Sequence, residues 1–308
     1  MKQKTISIII PTYKPDENFA NLLQMLGKQT YPIDKIIVMN TEETFYHKEQ
    51  YPRLEQLEVH HIKKQEFDHG GTRNVGVTLT NTDVVCFLTQ DAMPKDEYLV
   101  EYMMKAFDEN EMVGAVYGRQ LPAKDCGIIE AYTRSFNYPT ERKVKSMKDL
   151  EQLGIKTFFC SNVCAAYRRD IYNKLGGFPL KTIFNEDMIF TGRLVKSGYQ
   201  VVYEPNAKVI HSHNYSGSQQ FHRNFDLAVS QAQYPDVFGG IKSEGEGIKL
   251  VKQTGKYLVK GGKWYLLPKL IYQSGCKYIG YLLGKNYYKL PKKVCIWCSM
   301  NKSYWLQK

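Results

Sequence analysis

No stretch of about 18 uninterrupted apolar residues occurs in this 308-residue chain, so no membrane-spanning helix is expected. The opening residues, MKQKTISIII, run straight into a strand-like segment. They lack a long apolar core followed by a small-residue cleavage site, so no secretion signal is expected either. The cysteines form no framework: there are seven, an odd number and widely dispersed, which fits reduced thiols in a cytosolic protein better than disulfides. Cys295-x-x-Cys298 has no second such pair and no histidine pair at a suitable spacing, so it reads as two isolated thiols rather than half a zinc site. Arginine is missing from residues 241–308, which hold 14 lysines and 2 glutamates; this net of +12 accounts for all of the chain's +11, and residues 1–240 carry a net of −1. Internal repeats and low-complexity tracts are absent as well.

What is present is a regular alternation of strand and helix patterns over the first 120 residues. TISIII (5–10), KIIVMN (35–40), 57–62, 83–88 and MVGAVYG (112–118) read as buried strands. Between the first two, Asp16 is placed to cap a helix whose apolar positions Phe19, Leu22, Leu23 and Leu26 recur at i, i+3, i+4 and i+7. Further helices are expected near Gly71 and over about 95–108. Such alternation predicts an α/β domain with a mainly parallel sheet covered on both faces, whose ligands bind in loops at the carboxyl ends of the strands. The pattern weakens over 125–160, as a variable excursion or lid would. It returns in 158–178 and again in NEDMIFTGRLVKSGYQVVYEPNAKVIHSH (185–213), a helix, turn and strand ending in two histidines. A main domain over 1–240 and a basic segment over 241–308 follow from the charge distribution.

Four blocks appear in order: Pro11-Thr12-Tyr13 after the first strand, DHGGTRN (68–74), TQDAMP (89–94) and NED (185–187). In this order and spacing the chain resembles the family 2 glycosyltransferases, inverting enzymes of the GT-A fold with its Rossmann-like sheet, and in detail their bacterial rhamnosyltransferase branch. The match spans roughly residues 4–225. Asp91 stands where the family has the last aspartate of its DxD motif, with Thr89 and Gln90 in place of the other acidic positions. The chemistry calls for a divalent cation, Mg²⁺ or Mn²⁺, because a nucleoside diphosphate leaving group concentrates negative charge and needs hard oxygen ligands nearby. His211 matches the histidine that completes the metal site in many members, and His213 is the alternative. Asp187 matches the family's catalytic base, with Glu186 before it; deprotonating an attacking sugar hydroxyl requires a carboxylate within hydrogen-bond reach. Read without the resemblance, Asp91 is a helix N-cap or turn aspartate and Asn185, Glu186 and Asp187 are a helix cap, a role compatible with catalysis.

The resemblance further implies a donor site made by Pro11, Thr12, Tyr13, Asn40, Asp68, Gly71, Arg73, Asn74, Gln90 and Arg223. In it Asn40 faces a pyrimidine edge, Asp68 accepts from a base N–H, Gly70 and Gly71 admit the ligand to the backbone, and Arg73 meets phosphate or ribose. The acceptor side is expected at Asn162, Gly177, Phe178 and Glu186, with LGGF (175–178) equally readable as a helix C-cap. Gln220-x-x-Arg223 is similar to the QxxRW of processive synthases, but Asn224 replaces the tryptophan, which points to a non-processive enzyme. A sugar nucleotidyltransferase is the alternative, since GGTR resembles the glycine-rich loop of those enzymes. They carry that loop directly after the first strand, where this chain has PTYKPDE. A catalytically silent nucleotide-sugar-binding module need not keep Asp187 together with the histidines.

The last segment interleaves lysine with Tyr257, Trp264, Tyr265, Tyr272, Trp297 and other aromatics, and contains WYLLPKLIY. Amphipathic rings and snorkelling lysines suit the surface of an anionic bilayer. The lack of arginine argues against nucleic acid. A helical appendage, packed on the main domain or used for homo-oligomerisation, is the other reading. The expectation is a peripheral enzyme on the cytoplasmic face of the membrane that takes a nucleotide-sugar donor, dTDP-L-rhamnose by resemblance, and a lipid-linked saccharide acceptor of cell-surface polysaccharide synthesis.

Overall fold

The structure is a computed structural model that describes residues 3–241 and 244–306. It divides into two compact units, residues 1–123, 138–180 and 186–212 in the first, and 124–137, 181–185 and 213–308 in the second.

The first unit is built on one nine-stranded sheet: β1 (Ile6–Tyr13), β2 (Lys35–Thr41), β3 (Leu57–Ile62), β4 (Val84–Leu88), β5 (Met93–Pro94), β6 (Val113–Leu121), β7 (Lys143–Lys145), β8 (Cys164–Arg168) and β9 (Gln200–Ile210). Their order is β3-β2-β1-β4-β8-β6-β9-β5, with β7 beside β9. β3, β2, β1 and β4 are parallel neighbours, as are β6 and β9, while β8 runs antiparallel between β4 and β6. The unbroken β-branched run Ile8-Ile9-Ile10 suits a central strand buried on both faces. Ile6, Ile8 and Ile10 pack with the apolar stripes of helices Glu17–Leu26 and Leu99–Glu109. Ile9 points the other way, against Gly76 of helix His69–Thr78, where a Cβ would stand 2.6 Å from its side chain.

Helix Glu17–Leu26 begins as the sequence predicts. Asp16 accepts from the Asn18 and Phe19 amides, and Phe19, Leu22, Leu23 and Leu26 are buried, at about 1.5–3 kcal/mol each. The helix expected over 95–108 starts at Leu99, because the carbonyls of Asp96 and Glu97 are engaged by Gln29 and Thr30. The weakly patterned region 125–160 is ordered: it supplies helix Ile128–Asn137 to the second unit and β7, paired antiparallel with β9, to the first.

The second unit is helical and contains the described part of the basic segment 241–308. Its longest helices are Gly217–Gln233, Glu244–Lys260 and Leu267–Lys285. Gly280 and Gly284 let the last of these press onto the first, since a Cβ at either would lie 2.2 or 2.3 Å from the Phe221 or Phe225 carbonyl oxygen. Ile183, Phe225, Val229, Cys295, Cys298, Tyr304 and Trp305 form its core, so both cysteines of the CxxC pair are packing residues. Among the described residues no helix is long and apolar enough to cross a membrane.

Candidate active site

Asp91 lies in the turn between β4 and β5. β5 is only Met93–Pro94, but its antiparallel pairing places Met93 opposite Ile210, the last residue of β9. That pairing carries the Asp91 turn to His211, whose Nε2 stands 3.4 Å from Asp91 Oδ2. The His211 imidazole is 6% exposed and its amide donates to the Leu121 carbonyl at the end of β6; the Asp91 carboxylate is 41% exposed. A buried imidazole fixed beside an open carboxylate is a donor pair with room for further oxygen ligands, which fits a divalent cation such as Mn²⁺ or Mg²⁺. His213 opens the second unit, with its ring 5.2 Å from that of Tyr215.

Gln90 fastens this turn to the exit of β1. Its Oε1 accepts from the Tyr13 amide at 2.8 Å, and its Nε2 donates to the Tyr13 carbonyl at 3.2 Å. The glutamine in place of an acidic residue therefore clamps two loops at the carboxyl edge of the sheet. Tyr13 is exposed, and Pro11 and Thr12 lie in β1 itself, with Thr12 buried.

The carboxylates of the NED block sit at the start of helix Glu186–Lys196. Asn185 before them takes a left-handed conformation, φ 63°, and its Nδ2 donates to Ser230 Oγ at 2.9 Å. Asp187 is held at both oxygens, Oδ2 accepting from the Asn162 amide at 3.0 Å and Oδ1 from the Met188 amide at 2.7 Å. Glu186 is buried; its Oε1 accepts from Asn162 Nδ2 at 3.2 Å and lies 3.3 Å from Arg73 Nη1. Burial alone would push the Glu186 carboxyl up, but the Arg73 guanidinium, His69 and the Asn162 bond together hold it below its ordinary value. Glu186 is therefore an anion at neutral pH. Burial and this adjacent charge raise Asp187 from 3.8 to about 7, against the pull of its two amide bonds. A half-buried carboxyl poised near neutrality is suited to general-base work.

The two sets of residues occupy one edge of the sheet. Leu88 at the end of β4 pairs with Cys164 at the start of β8, and the Thr89 amide donates to the Val163 carbonyl at 3.2 Å. Thr89 leads into Asp91, and Val163 follows Asn162, which binds both Glu186 and Asp187.

Other expected donor residues turn inward. Asn40 is fully buried: its Oδ1 accepts from Thr12 Oγ1 at 3.1 Å, and its Nδ2 contacts His61 Nδ1 at 3.0 Å and the Glu42 carbonyl at 3.1 Å. Its amide is thus spent within the domain, not turned to a base edge. Asp68 accepts from the Gly71 amide at 2.6 Å as the N-cap of helix His69–Thr78. Arg73, one turn into that helix, faces the interior and Glu186, with Nη1 also donating to the His69 carbonyl at 2.8 Å.

The DHGGTRN helix docks on the LGGF turn. Asn74 Nδ2 donates to the Phe178 carbonyl at 2.9 Å and its Oδ1 accepts from the Phe178 amide at 3.0 Å. A Cβ at Gly70 would stand 2.2 Å from the Pro179 carbonyl oxygen, so the glycine is required by the neighbouring turn. Gly177 has φ 68°, a left-handed position that glycine fills without strain. Phe178 is buried with Phe87, Tyr167, Tyr172 and Phe190, ring centroids 4.9–6.1 Å apart. Arg223, in the second unit, stacks its guanidinium 4.6 Å from the Phe184 ring centroid and 5.5 Å from that of Tyr215.

Sequence reasoning missed Tyr167, whose hydroxyl donates to Asn162 Oδ1 at 2.9 Å and so orients the residue that holds both carboxylates. In CAAYR it reads as one more buried strand residue, and nothing local marks its contact five residues back. Lys145 was also missed. It is buried on β7, donates to the Lys156 and Phe159 carbonyls just upstream of Asn162, and burial lowers it to about 7.

Residues 7–176 match the family profile described as glycosyl transferase family 2. The chain is 39% identical over 304 residues to the O-antigen chain rhamnosyltransferase RfbN of Salmonella typhimurium, covering 97% of this chain and 96% of that protein. It is 38% identical to the O-antigen chain rhamnosyltransferase WbaN of Salmonella anatum, covering 98% and 96%. Among solved structures, the mannosyltransferase PcManGT from Pyrobaculum calidifontis in complex with GDP-Man and Mn²⁺ superposes with a TM-score of 0.56 at 15% identity, covering 99% of this chain and 86% of that one. Residues 1–349 of S. aureus TarS superpose with a TM-score of 0.54 at 16% identity, covering 92% and 91%. These structural neighbours bear on the fold alone.

Proposed function

Because this chain belongs to glycosyl transferase family 2 and is a glycosyltransferase, we propose that it transfers L-rhamnose from dTDP-L-rhamnose, with inversion, to a lipid-linked saccharide in cell-surface polysaccharide synthesis. The donor sugar and the pathway are drawn from the two Salmonella relatives, which match along nearly their whole length. The observation that supports this mechanism is the link from the Asp91 turn through Thr89 and Val163 to Asn162 and Asp187, by which the Asp91 and Asp187 carboxylates share one edge of the sheet.

Asp91 and His211, with His213 two residues along the chain, would hold Mn²⁺ or Mg²⁺. Held there, it would supply positive charge to offset that of the departing diphosphate. Gln90 and Tyr13 fix the loop that carries Asp91, so the donor meets a preformed edge. Asp187 accepts the proton of the acceptor hydroxyl as that oxygen attacks the anomeric carbon, and a single displacement inverts the centre. Glu186 keeps the base near neutrality, and Asn162 aims it. Asn40, Asp68, Arg73 and Asn74 act one layer back, holding the loops that line the donor, while Gly177 and Phe178 shape the acceptor side.

The exposed aromatics of the second unit support attachment to an anionic membrane surface. Trp264, Trp297, Tyr288 and Ile271 are 66–69% exposed among lysines, an unusual display for a surface facing only water. The testing experiment is a donor screen with Mn²⁺ or Mg²⁺, scoring nucleoside diphosphate released with and without lipid-linked acceptor. Acceptor-dependent release from dTDP-rhamnose alone supports the reading, and acceptor-dependent release from another donor replaces the sugar.

A further inference from the structure

On β7 the apolar residue faces out and a lysine faces in: Val144 is 44% exposed and Lys145 is 2% exposed. A lysine taken out of water is costly unless its charge is met. The Lys145 ammonium donates to the carbonyls of Lys156, at 3.1 Å, and Phe159. It also lies over two rings, 4.7 Å from the Tyr117 centroid and 5.8 Å from that of Phe159. Among the described residues it forms no ion pair, so carbonyl oxygens and aromatic faces hold the charge. Burial lowers the group to about 7, with Cys160 and Asp149 pulling it up and Lys143 and Lys156 pulling it down.

The two carbonyls lie at the end of the 3₁₀ turn Gly154–Phe158, just before the stretch that leads to Asn162. Residues 159–163 form neither helix nor strand, so side chains must hold them in place. Thr191, on the helix that carries Asp187, donates from Oγ1 to the Phe158 carbonyl at 2.6 Å, and Cys160 Sγ meets the Tyr167 hydroxyl at 3.4 Å. Asn162 comes three residues after Phe159 and gives its amide to Asp187 Oδ2. An inward lysine on an edge strand also discourages pairing with other chains, but that role needs no carbonyl contacts.

We infer that Lys145 is a positioning residue for transfer: by gathering the Lys156 and Phe159 carbonyls it sets residues 159–162 so that the Asn162 amide meets Asp187. The inference rests on the transfer reading above, with Asp187 as the base. Burial and the Glu186 charge raise the Asp187 carboxyl, while the Asn162 and Met188 amides and Arg73 pull it down. Cys160 and Tyr167, the other titratable groups near it, stay neutral because burial raises both. Loosening the Asn162 bond therefore raises Asp187 and leaves less carboxylate at neutral pH.

The test uses the full chain and Lys145→Met, which fills the site without the ammonium. Carbon-13 NMR of the aspartate carboxyls follows Asp187 directly, its signal assigned by loss in Asp187→Asn. In Lys145→Met the Asp187 titration should move up by about half a pH unit, the scale of one lost hydrogen bond. The acid limb of single-turnover transfer should move with it, and the plateau should fall by about tenfold. The dTDP-rhamnose dissociation constant with Mn²⁺ should stay within about twofold of wild type. Lys145→Gln, one bond shorter and uncharged, is read in the same way if the methionine variant does not fold. A folded variant whose Asp187 titration and transfer rate both match wild type overturns the inference and leaves Lys145 a guard of the sheet edge. Failure of the transfer reading looks different: the wild type then releases no nucleoside diphosphate from any donor with the lipid-linked acceptor, while the Asp187 titration still shifts in the variant.

Discussion

The Asn162 amide donates to Asp187 Oδ2 at 3.0 Å, while the same residue's Nδ2 donates to Glu186 Oε1 at 3.2 Å. One residue therefore holds both carboxylates, the proposed base Asp187 and the Glu186 whose charge raises it. The arrangement makes the pair asymmetric: Arg73 keeps Glu186 ionised, and Glu186 makes Asp187 a better proton acceptor at neutral pH.

The pH dependence follows from the Asp187 carboxyl at about 7. Transfer should fall as pH drops through about 7 and level off above it, because only the carboxylate accepts a proton. Glu186→Gln removes the neighbouring charge and should move this acid limb to lower pH. A limb that stays in place in the variant contradicts the tuning role.

Folding stability carries the opposite signature. A carboxyl raised from 3.8 to about 7 on folding favours the folded state while protonated, and that contribution is lost as pH rises from about 4 through 7. Asp187→Asn should therefore melt higher than wild type at pH 8, by about 1–3 kcal/mol, and show little difference at pH 4. Thermal melts at the two pH values check it.

Tyr167→Phe removes the hydroxyl that donates to Asn162 Oδ1 and leaves a buried acceptor unmet. The expected cost is about 1–2 kcal/mol of stability with a several-fold fall in kcat and an unchanged donor KM. A fall in donor affinity instead would place Tyr167 elsewhere in the mechanism.

Asp91→Asn should raise the Mn²⁺ or Mg²⁺ concentration needed for half-maximal turnover by about 10–100-fold, and His211→Gln should do so in the same direction. Activity profiles against added metal measure both. Wild-type metal dependence in either variant would remove that residue from the ligand set.

Much of the fold was legible because its signals are local. Asp16 and the stripe Phe19, Leu22, Leu23, Leu26 specify a helix within eleven residues, and Ile8-Ile9-Ile10 announces a doubly covered strand. The candidate site was legible as a set of residue types in order, through resemblance. Its wiring was not. β5 has two residues and no periodicity, yet its pairing with Ile210 decides that Asp91 meets His211. Arg73 and Asn40 read as ligand residues through the resemblance; both are drawn inward by partners distant in sequence, Glu186 and His61. Gly70 looked like room for a ligand and is room for the Pro179 carbonyl.

The most direct test is Asp187→Asn with dTDP-rhamnose, metal and lipid-linked acceptor, measuring single-turnover transfer beside the donor dissociation constant. The account predicts a transfer rate lower by at least about a thousandfold, the upper part of the range for a lost general base, with donor affinity within about twofold. Transfer at a tenth of the wild-type rate or better, in a protein that still binds donor, would contradict it.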